Sequence, residues 1–331
     1  MQVVIRGDGV AAYCCAYLLS QAGVRVALER VDRSRLPIIL LGDQALALIR
    51  DVFGQPDLFR HAPRIRKRTV AWGFGSEPRT LDHSAAAVSE EMLLEGIRPK
   101  LSENPAETQA DWTILAARPL PASAVEHPFG SRMASVAPVE LRADANASEC
   151  AIESLEDGWL FLIPNAPHSG WLLATGAALE SLLGRSQVVA RAISSQGAPS
   201  GEFPAYPRIV SPLGGDGWLA CGTAAMAFDP ICGDGTAHAI REAVLASAVI
   251  RAVGQGGDAA GLVAHYEARL TAGFRRHLVL CRGFYLSVGT GSFWTSELGA
   301  IDRGIQWCDA QLGAHASFRY QLRGFELEAV R

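Results

Sequence analysis

The chain opens on a β-branched apolar run, Val3-Val4-Ile5, and then changes its hydrophobic period. Beyond Gly7-Asp8-Gly9, apolar residues recur at helical spacing as far as Leu18 and Leu19. Gly23 stops them, and a second apolar run from Val24 to Leu28 ends at Glu29-Arg30. The order predicts strand, tight turn, helix, strand. A second change of period lies far downstream. Trp218 to Cys221 read as a strand, the next residues as a loop carrying Asp229-Pro230, Gly233 and Gly235, and the chain from about Thr236 to Val253 as a long helix. Between these two places, stretches within 124–205 such as SRMASVAPVELRA and GWLFLIP read as strands of a separate sheet. Tyr266, Phe274, Leu278, Cys281 and Tyr285 fall at helical intervals and predict a packing face on a C-terminal helix.

Composition narrows the classes. At 331 residues, with 49% hydrophobic and 19% charged residues, the chain suits a large globular α/β domain or two interleaved ones. A net charge of −4 offers no basic surface to nucleic acid. No apolar stretch reaches the ~18 residues that would span a bilayer. The first residues have neither a basic n-region nor a cleavable apolar segment. Seven cysteines, with no CxxC and no Cys/His group at metal-ligand spacing, predict reduced thiols and no metal. The expectation is a cytoplasmic protein without nucleic-acid or membrane partners.

The first turn is a GxGxxA sequence with the chemistry of a dinucleotide site. Gly7 permits the turn, Gly9 presents no side chain to a pyrophosphate, and Ala12 lets helix and strand approach. The helix start at Val10 and Ala11 turns free N–H groups toward phosphate. Glu29, twenty residues after Gly9 and followed by Arg30, is placed to accept ribose hydroxyls. At the second loop, Gly233 and Gly235 let backbone N–H groups reach a ligand. A helix beginning at Thr236 would stabilise negative charge there, as on the pyrimidine ring of a reduced flavin. Asp229 and Asp234 flank that entrance, where Asp229 caps the loop or faces the ligand.

Gly222, Ala224, Ala225, Pro230, Gly233 and Gly235 carry a resemblance. The chain resembles FAD-dependent monooxygenases of the p-hydroxybenzoate hydroxylase type, whose second FAD motif runs Gly-Asp-Ala-Ala, then Pro-x-x-Gly-x-Gly, then a helix. Thr223 stands where that family has an aspartate holding the ribityl chain. In AAVSEEMLLEGIRPKL, Glu90, Leu93 and Ile97 occupy the family's Arg-x-x-Leu-x-x-x-Leu positions, with Glu90 in place of arginine. After ADWTILA the family continues with Asp-Gly and an arginine that serves FAD and NADPH. Here Ala116-Ala117-Arg118 follow, which implies an electron donor other than bound NADPH, such as a separate flavin reductase.

Trp159, Ile163 and Pro164 match the Trp-x-Trp-x-Ile-Pro segment of flavin-dependent tryptophan halogenases, with Phe161 for the second tryptophan. Arg282, Phe284, Tyr285, Phe293 and Trp294 resemble the end of the same branch. The lysine that halogenation needs is not matched, since Lys67 sits inside RIRKRTVAWG, and halogenases are typically longer. Trp72, Gly73 and His83 look closest to the small flavoproteins that mature tryptophylquinone-containing oxidases by hydroxylating a tryptophan of a partner protein.

The resemblance implies an α/β fold. A Rossmann-like FAD-binding lobe (1–60, 84–123 and 206–253) is interleaved with a β-rich substrate lobe (61–83 and 124–205), followed by a helical tail (254–331). It implies FAD as cofactor and hydroxylation of an aromatic substrate through a flavin C4a-hydroperoxide, with a protein tryptophan as the specific candidate. His83, Trp72 and Trp159 are the candidate catalytic residues. His168 reads as a surface residue, and His238 as either touching the flavin or facing solvent. Trp159 and Phe161 share a strand face that is either core or a pocket roof. A reductase or dehydrogenase of the same fold, a halogenase-like enzyme, and a flavin-binding protein without turnover remain as alternatives.

Overall fold

The computed structural model describes residues 1–99, 110–289, 291–315 and 319–330. Parts of the expected lobes and tail, including the Lys100-Leu101 end of the third matching stretch, lie outside the described residues.

The opening pattern folds as its period requires, into β1 (Gln2–Arg6), α1 (Val10–Gln21) and β2 (Arg25–Glu29). On its other side β1 pairs in parallel with β6 (Trp112–Leu115), and β6 pairs in parallel with β16 (Trp218–Ala220). The two-residue β15 (Gly214–Gly215) closes that edge, giving a five-stranded sheet in the order β15-β16-β6-β1-β2. Arg6 lies beside Leu115, and Leu115 beside Ala220. The chain therefore leaves all three strands at one edge of the sheet, where ligands of open parallel sheets bind.

A nine-stranded sheet stands against this one. It is built from β3 (Ile39–Gly42), β4 (Arg64–Ala71), β5 (Arg79–Val88), β8 (Met133–Leu141), β9 (Glu149–Leu155), β10 (Gly158–Ala166), β11 (Ser169–Gly176), β12 (Ile193–Gln196) and β13 (Glu202–Pro204). Their order is β12-β8-β11-β10-β9-β4-β5-β3, with β13 on β8, and every pair is antiparallel except β4 with β9. The run GWLFLIP in β10 is buried on both faces, which accounts for its unbroken hydrophobicity. Trp159, Phe161 and Ile163 enter the main core, while Leu160 and Leu162 pack with Leu179 and Leu182 of α4 (Leu179–Arg185) in a second one. Each fully buried leucine of this kind contributes on the order of 1.5–3 kcal/mol.

The remaining strands are short. β7 (Val125–Pro128), β14 (Arg208–Ser211) and β17 (Met226–Ala227) form a three-stranded sheet, and β18 (Tyr320–Arg323) pairs with β19 (Glu326–Ala329) as a hairpin. The helices are α2 (Asp43–Phe53), α3 (Glu90–Gly96), α5 (Gly235–Gly254), α6 (Ala259–Leu286) and α7 (Ser292–His315). Arg275 pairs with Asp309 and Arg282 with Asp302, so α6 and α7 run antiparallel. All five residues of the predicted tail face are buried. Packing of α5 on α1 uses small side chains: Cys15 Sγ lies 3.7 Å from the Ala243 carbonyl oxygen, and Ala12, Ala16 and Ala246 are buried. No helix of the described residues is long and apolar enough to cross a membrane.

Candidate cofactor and substrate cleft

A cleft of about 430 Å³ runs from the turn after β1, past the loops after β6 and β16, to the start of α5. Both glycine-rich stretches line it. Gly9, Val10, Ala11 and Ala12 form one end, and Gly222, Thr223, Asp229, Pro230, Gly233, Gly235 and Thr236 form the floor toward the other. Glu90, Ala116 and Ala117 lie along it as well. Gly7, Glu29, Arg30 and Asp234 are not in its wall. Gly7 serves the turn itself: its N–H donates to the Glu29 carbonyl oxygen at 2.8 Å, and its φ of +132° suits glycine. Glu29 and Arg30 are exposed at the end of β2.

The two helix starts are open donors. Neither Gly9 before α1 nor Asp234 before α5 caps its helix with a side chain, so first-turn N–H groups are left for a ligand. A Cβ at Gly233 or Gly235 would meet nothing within 4 Å, consistent with backbone facing open space. These features fit an elongated cofactor with an anionic centre.

Gly222 is fixed by a different constraint. Its φ is +61°, a Cβ there would stand 2.7 Å from the Ala11 Cβ, and its N–H donates to Glu242 at 2.8 Å. Gly222→Ala is expected to cost roughly 2 kcal/mol or more in urea unfolding, from backbone strain and the clash together. Gly233→Ala, at φ +66° but in open space, should cost about 1 kcal/mol.

The exchange of arginine for Glu90 has a structural counterpart. Ser89 caps α3 by accepting from the Met92 N–H at 3.0 Å, and the Glu90 carboxylate then points back across the cleft mouth. Arg33 grips it with both guanidinium nitrogens, one of them at 3.1 Å, and the Leu36 N–H donates to it at 2.8 Å. The Arg33 guanidinium also lies 3.3 Å from where a Gly9 Cβ would stand. A cation is thus present at the glycine turn, delivered from the segment after β2 and held by Glu90. Asp8, inside the same turn, is paired with Arg35.

The opposite wall is apolar. Val136, Phe161, Ile163, Leu173 and Phe203 come from the nine-stranded sheet, and Phe228 joins them from the floor. Phe228 stacks on His238 with ring centroids 4.1 Å apart, and His238 Nε2 lies 2.9 Å from Asp234. His168 is exposed in the turn between β10 and β11.

None of the three candidate catalytic residues is in the cleft wall. Trp72 and Trp159 join Tyr285 and Trp294 of the tail helices in an aromatic cluster. Trp72 stands 6.5 Å from Trp159 and 5.8 Å from Trp294, ring to ring, and donates to the Phe284 carbonyl oxygen at 2.9 Å. Trp159 is fully buried, two residues along the strand from Phe161, which does line the cleft. Half-buried His83 lies 3.0 Å from Arg68, and the Arg68 guanidinium sits over the Phe161 ring at 5.5 Å. Burial, and then the Arg68 charge, hold the His83 imidazole below its ordinary range. Lys67 is exposed on β4.

Three groups that pattern reading does not find support the floor. Arg132, fully buried, bonds Asp229 at 2.6 Å and Glu297 with its other nitrogen, while the Tyr285 hydroxyl donates to Asp229 at 2.8 Å. Asp229 in turn caps the 230–232 turn by accepting from the Ile231 N–H at 3.0 Å. Burial pulls the Arg132 guanidinium down, but Asp229, Tyr285 and Glu297 outweigh it and hold the charge firmly. Glu242, fully buried in the cleft wall, has its carboxyl pushed up to about 8 by burial. Cys232 meets His277 and Cys281, one helical turn apart on α6, behind the floor, and no local pattern brings Cys232 to them.

A sheet of parallel strands whose ends feed one long cleft, covered by a large antiparallel sheet and a helical tail, is the fold of flavin-dependent hydroxylases and halogenases. The chain is similar to the peptidyl tryptophan dihydroxylase QhpG, essential for tryptophylquinone cofactor biogenesis (19% identity, 99% of this chain and 86% of that one, TM-score 0.76). It is also similar to the flavin-dependent halogenase CmlS (18%, 92% and 70%, 0.72) and to Klebsiella pneumoniae HpxO complexed with FAD and uric acid (15%, 94% and 97%, 0.63). Neither a protein-family model nor a curated protein sequence matches the chain.

Proposed function

We propose that the protein is an FAD-dependent monooxygenase that hydroxylates an aromatic substrate, with the tryptophan side chain of a partner protein as the substrate of choice. The observation that carries this reading is one cleft lined by the open starts of both α1 and α5, with Arg33 beside the first and an apolar, phenylalanine-bearing wall facing them. In this reading Gly9 to Ala12 and Arg33 hold the diphosphate, Pro230 to Thr236 face the flavin ring, and Phe161, Ile163 and Phe203 hold the substrate ring. The bound flavin, once reduced, supplies the oxygen activation. The side chains exclude water and orient the ring, and the ionisable groups of the described wall are already paired or hydrogen-bonded within the protein. Ala116-Ala117 at the place of the NADPH-serving motif support reduction by a separate flavin reductase. Likeness to QhpG over nearly the whole chain supports a peptidyl tryptophan as the substrate, and a cytoplasmic site of action goes with that reading.

Protein stripped of small molecules should bind one equivalent of FAD, read from flavin absorbance and fluorescence. Arg33→Ala should weaken that binding about tenfold, the worth of one hydrogen bond to a charged group. Equal or tighter binding by the variant would mean that Arg33 closes the cleft. With a reductase and oxygen present, mass spectrometry of a tryptophan-bearing partner should show added oxygen. A protein that takes up no FAD ends the proposal.

A further inference from the structure

Of the seven cysteines, six are buried, and only Cys232 is partly open to solvent. It sits in the 230–232 turn, between cleft-lining Pro230 and Gly233. Its Sγ lies 3.5 Å from that of Cys281, in the last quarter of α6 and 49 residues away in sequence. Cys281 Sγ is in turn 3.2 Å from His277 Nε2, one helical turn earlier.

Two chemistries suit such a group, a metal ion and a disulfide. The imidazole argues against the metal: His277 Nε2 already accepts the Asp229 N–H at 2.8 Å, so the lone pair a metal would need is engaged by the loop itself. Coordination would break the bond that seats Asp229 above His277. Disulfide formation leaves it in place and needs only the two sulfurs to close from van der Waals contact to bonding distance.

We propose that Cys232 and Cys281 form an oxidant-reactive dithiol that closes to a disulfide and ties the glycine loop of the cleft to α6. The oxidant is hydrogen peroxide, the product expected wherever a reduced flavin meets oxygen without delivering it to substrate. The Cys232 thiolate attacks peroxide; the O–O bond breaks, an S–O bond forms, and the released hydroxide takes up a proton as water. The Cys281 sulfur then attacks the sulfenic sulfur. An S–S bond replaces the S–O bond, and the departing hydroxyl leaves as water with the Cys281 proton. Two electrons pass from the two thiols to one peroxide. Cys232 is the attacking sulfur because it is the accessible one, and because hydrogen bonding from Cys281 brings its thiol down to about 7 despite burial and the nearby Asp229 carboxylate. Burial, followed by the bond to Cys232, pushes Cys281 well up, as suits a resolving thiol that reacts second.

The test treats the full-length protein with one equivalent of hydrogen peroxide, blocks remaining thiols with an alkylating agent, and reads intact and peptide masses. The expected result is two fewer alkylated cysteines, a cross-linked Cys232–Cys281 peptide pair, and reversal by dithiothreitol. Between pH 6 and pH 8 the reaction should quicken about tenfold, following the Cys232 thiolate. Cys232→Ser, at a partly exposed position, should abolish both the cross-link and this fast phase. The proposal is overturned if both thiols survive peroxide, if Cys232 oxidises while Cys281 stays alkylatable, or if the cluster keeps one equivalent of zinc through chelator dialysis. A retarding effect of the cross-link on FAD exchange rests on the flavin reading. The cross-link itself is scored by mass alone, so the two failures are distinguishable.

Discussion

Arg132→Met is expected to cost the protein about 3–5 kcal/mol of folding stability at neutral pH, measured by urea unfolding. The residue has no exposed side-chain surface and lies between two carboxylates, Asp229 and Glu297, that are themselves buried. Removing the guanidinium keeps both acids inside and strips away the charge that balances them. What remains, the Tyr285 hydroxyl and the Ile231 N–H on Asp229 and the Ser131 N–H and hydroxyl on Glu297, can solvate but not neutralise two like charges. Arg132→Lys should recover only part of the loss, because a point charge cannot reach both acids as the planar fork does. The combined variant Arg132→Met, Asp229→Asn, Glu297→Gln should regain most of it, since the desolvation penalty disappears along with the attraction. If the single variant unfolds like the parent, the network contributes no net stability. The consequence reaches the cleft, because Asp229 both caps the 230–232 turn and anchors its own N–H on His277.

That network marks where sequence reading stopped. The β1-turn-α1-β2 unit and the strand-loop-helix from 218 to 254 were legible because each is written in consecutive residues, as an apolar period that switches at glycines. Arg132 meets residues 97 and 165 positions away, and no local pattern announces such a pairing. Glu90 shows the same limit in sharper form. Compared with a family motif it reads as a lost arginine, whereas in space the charge has moved to Arg33, 57 residues upstream. The aromatic stripe left its two alternatives open for another reason. Alternation places Trp159 and Phe161 on one face of β10, but that face packs against Trp72 in the core at one point and borders the cleft two residues later. Period tells which side a residue faces, and only tertiary packing tells what waits there. Glu242 was hidden by its neighbour: Arg241-Glu242 looks like a solvated pair, yet Arg241 is exposed and Glu242 is fully buried.

Glu242→Gln should therefore stabilise the protein, and increasingly so as pH rises. In the unfolded chain the carboxyl loses its proton near its ordinary 4.5, while in the native state burial holds the proton until about 8. Across that window folding takes up a proton, so native stability must fall with rising pH, and it levels off once both states are ionised. The full span corresponds to on the order of 5 kcal/mol, an upper bound because water reaching the native site would lessen it. Glutamine keeps the carbonyl that accepts the Gly222 N–H and carries no proton to lose. Parent and variant should thus unfold alike near pH 4 and diverge progressively, the variant leading by several kcal/mol at pH 9; parallel curves at both pH values would refute a protonated Glu242. The same proton bears on the proposed cofactor. Glu242 lines the cleft where Gly222 meets the first turn of α1, so a neutral carboxyl there leaves the glycine turn free to receive a diphosphate, and a charged one opposes it. FAD affinity of the parent should weaken above pH 8 and that of Glu242→Gln should not, which separates an effect on the site from an effect on folding.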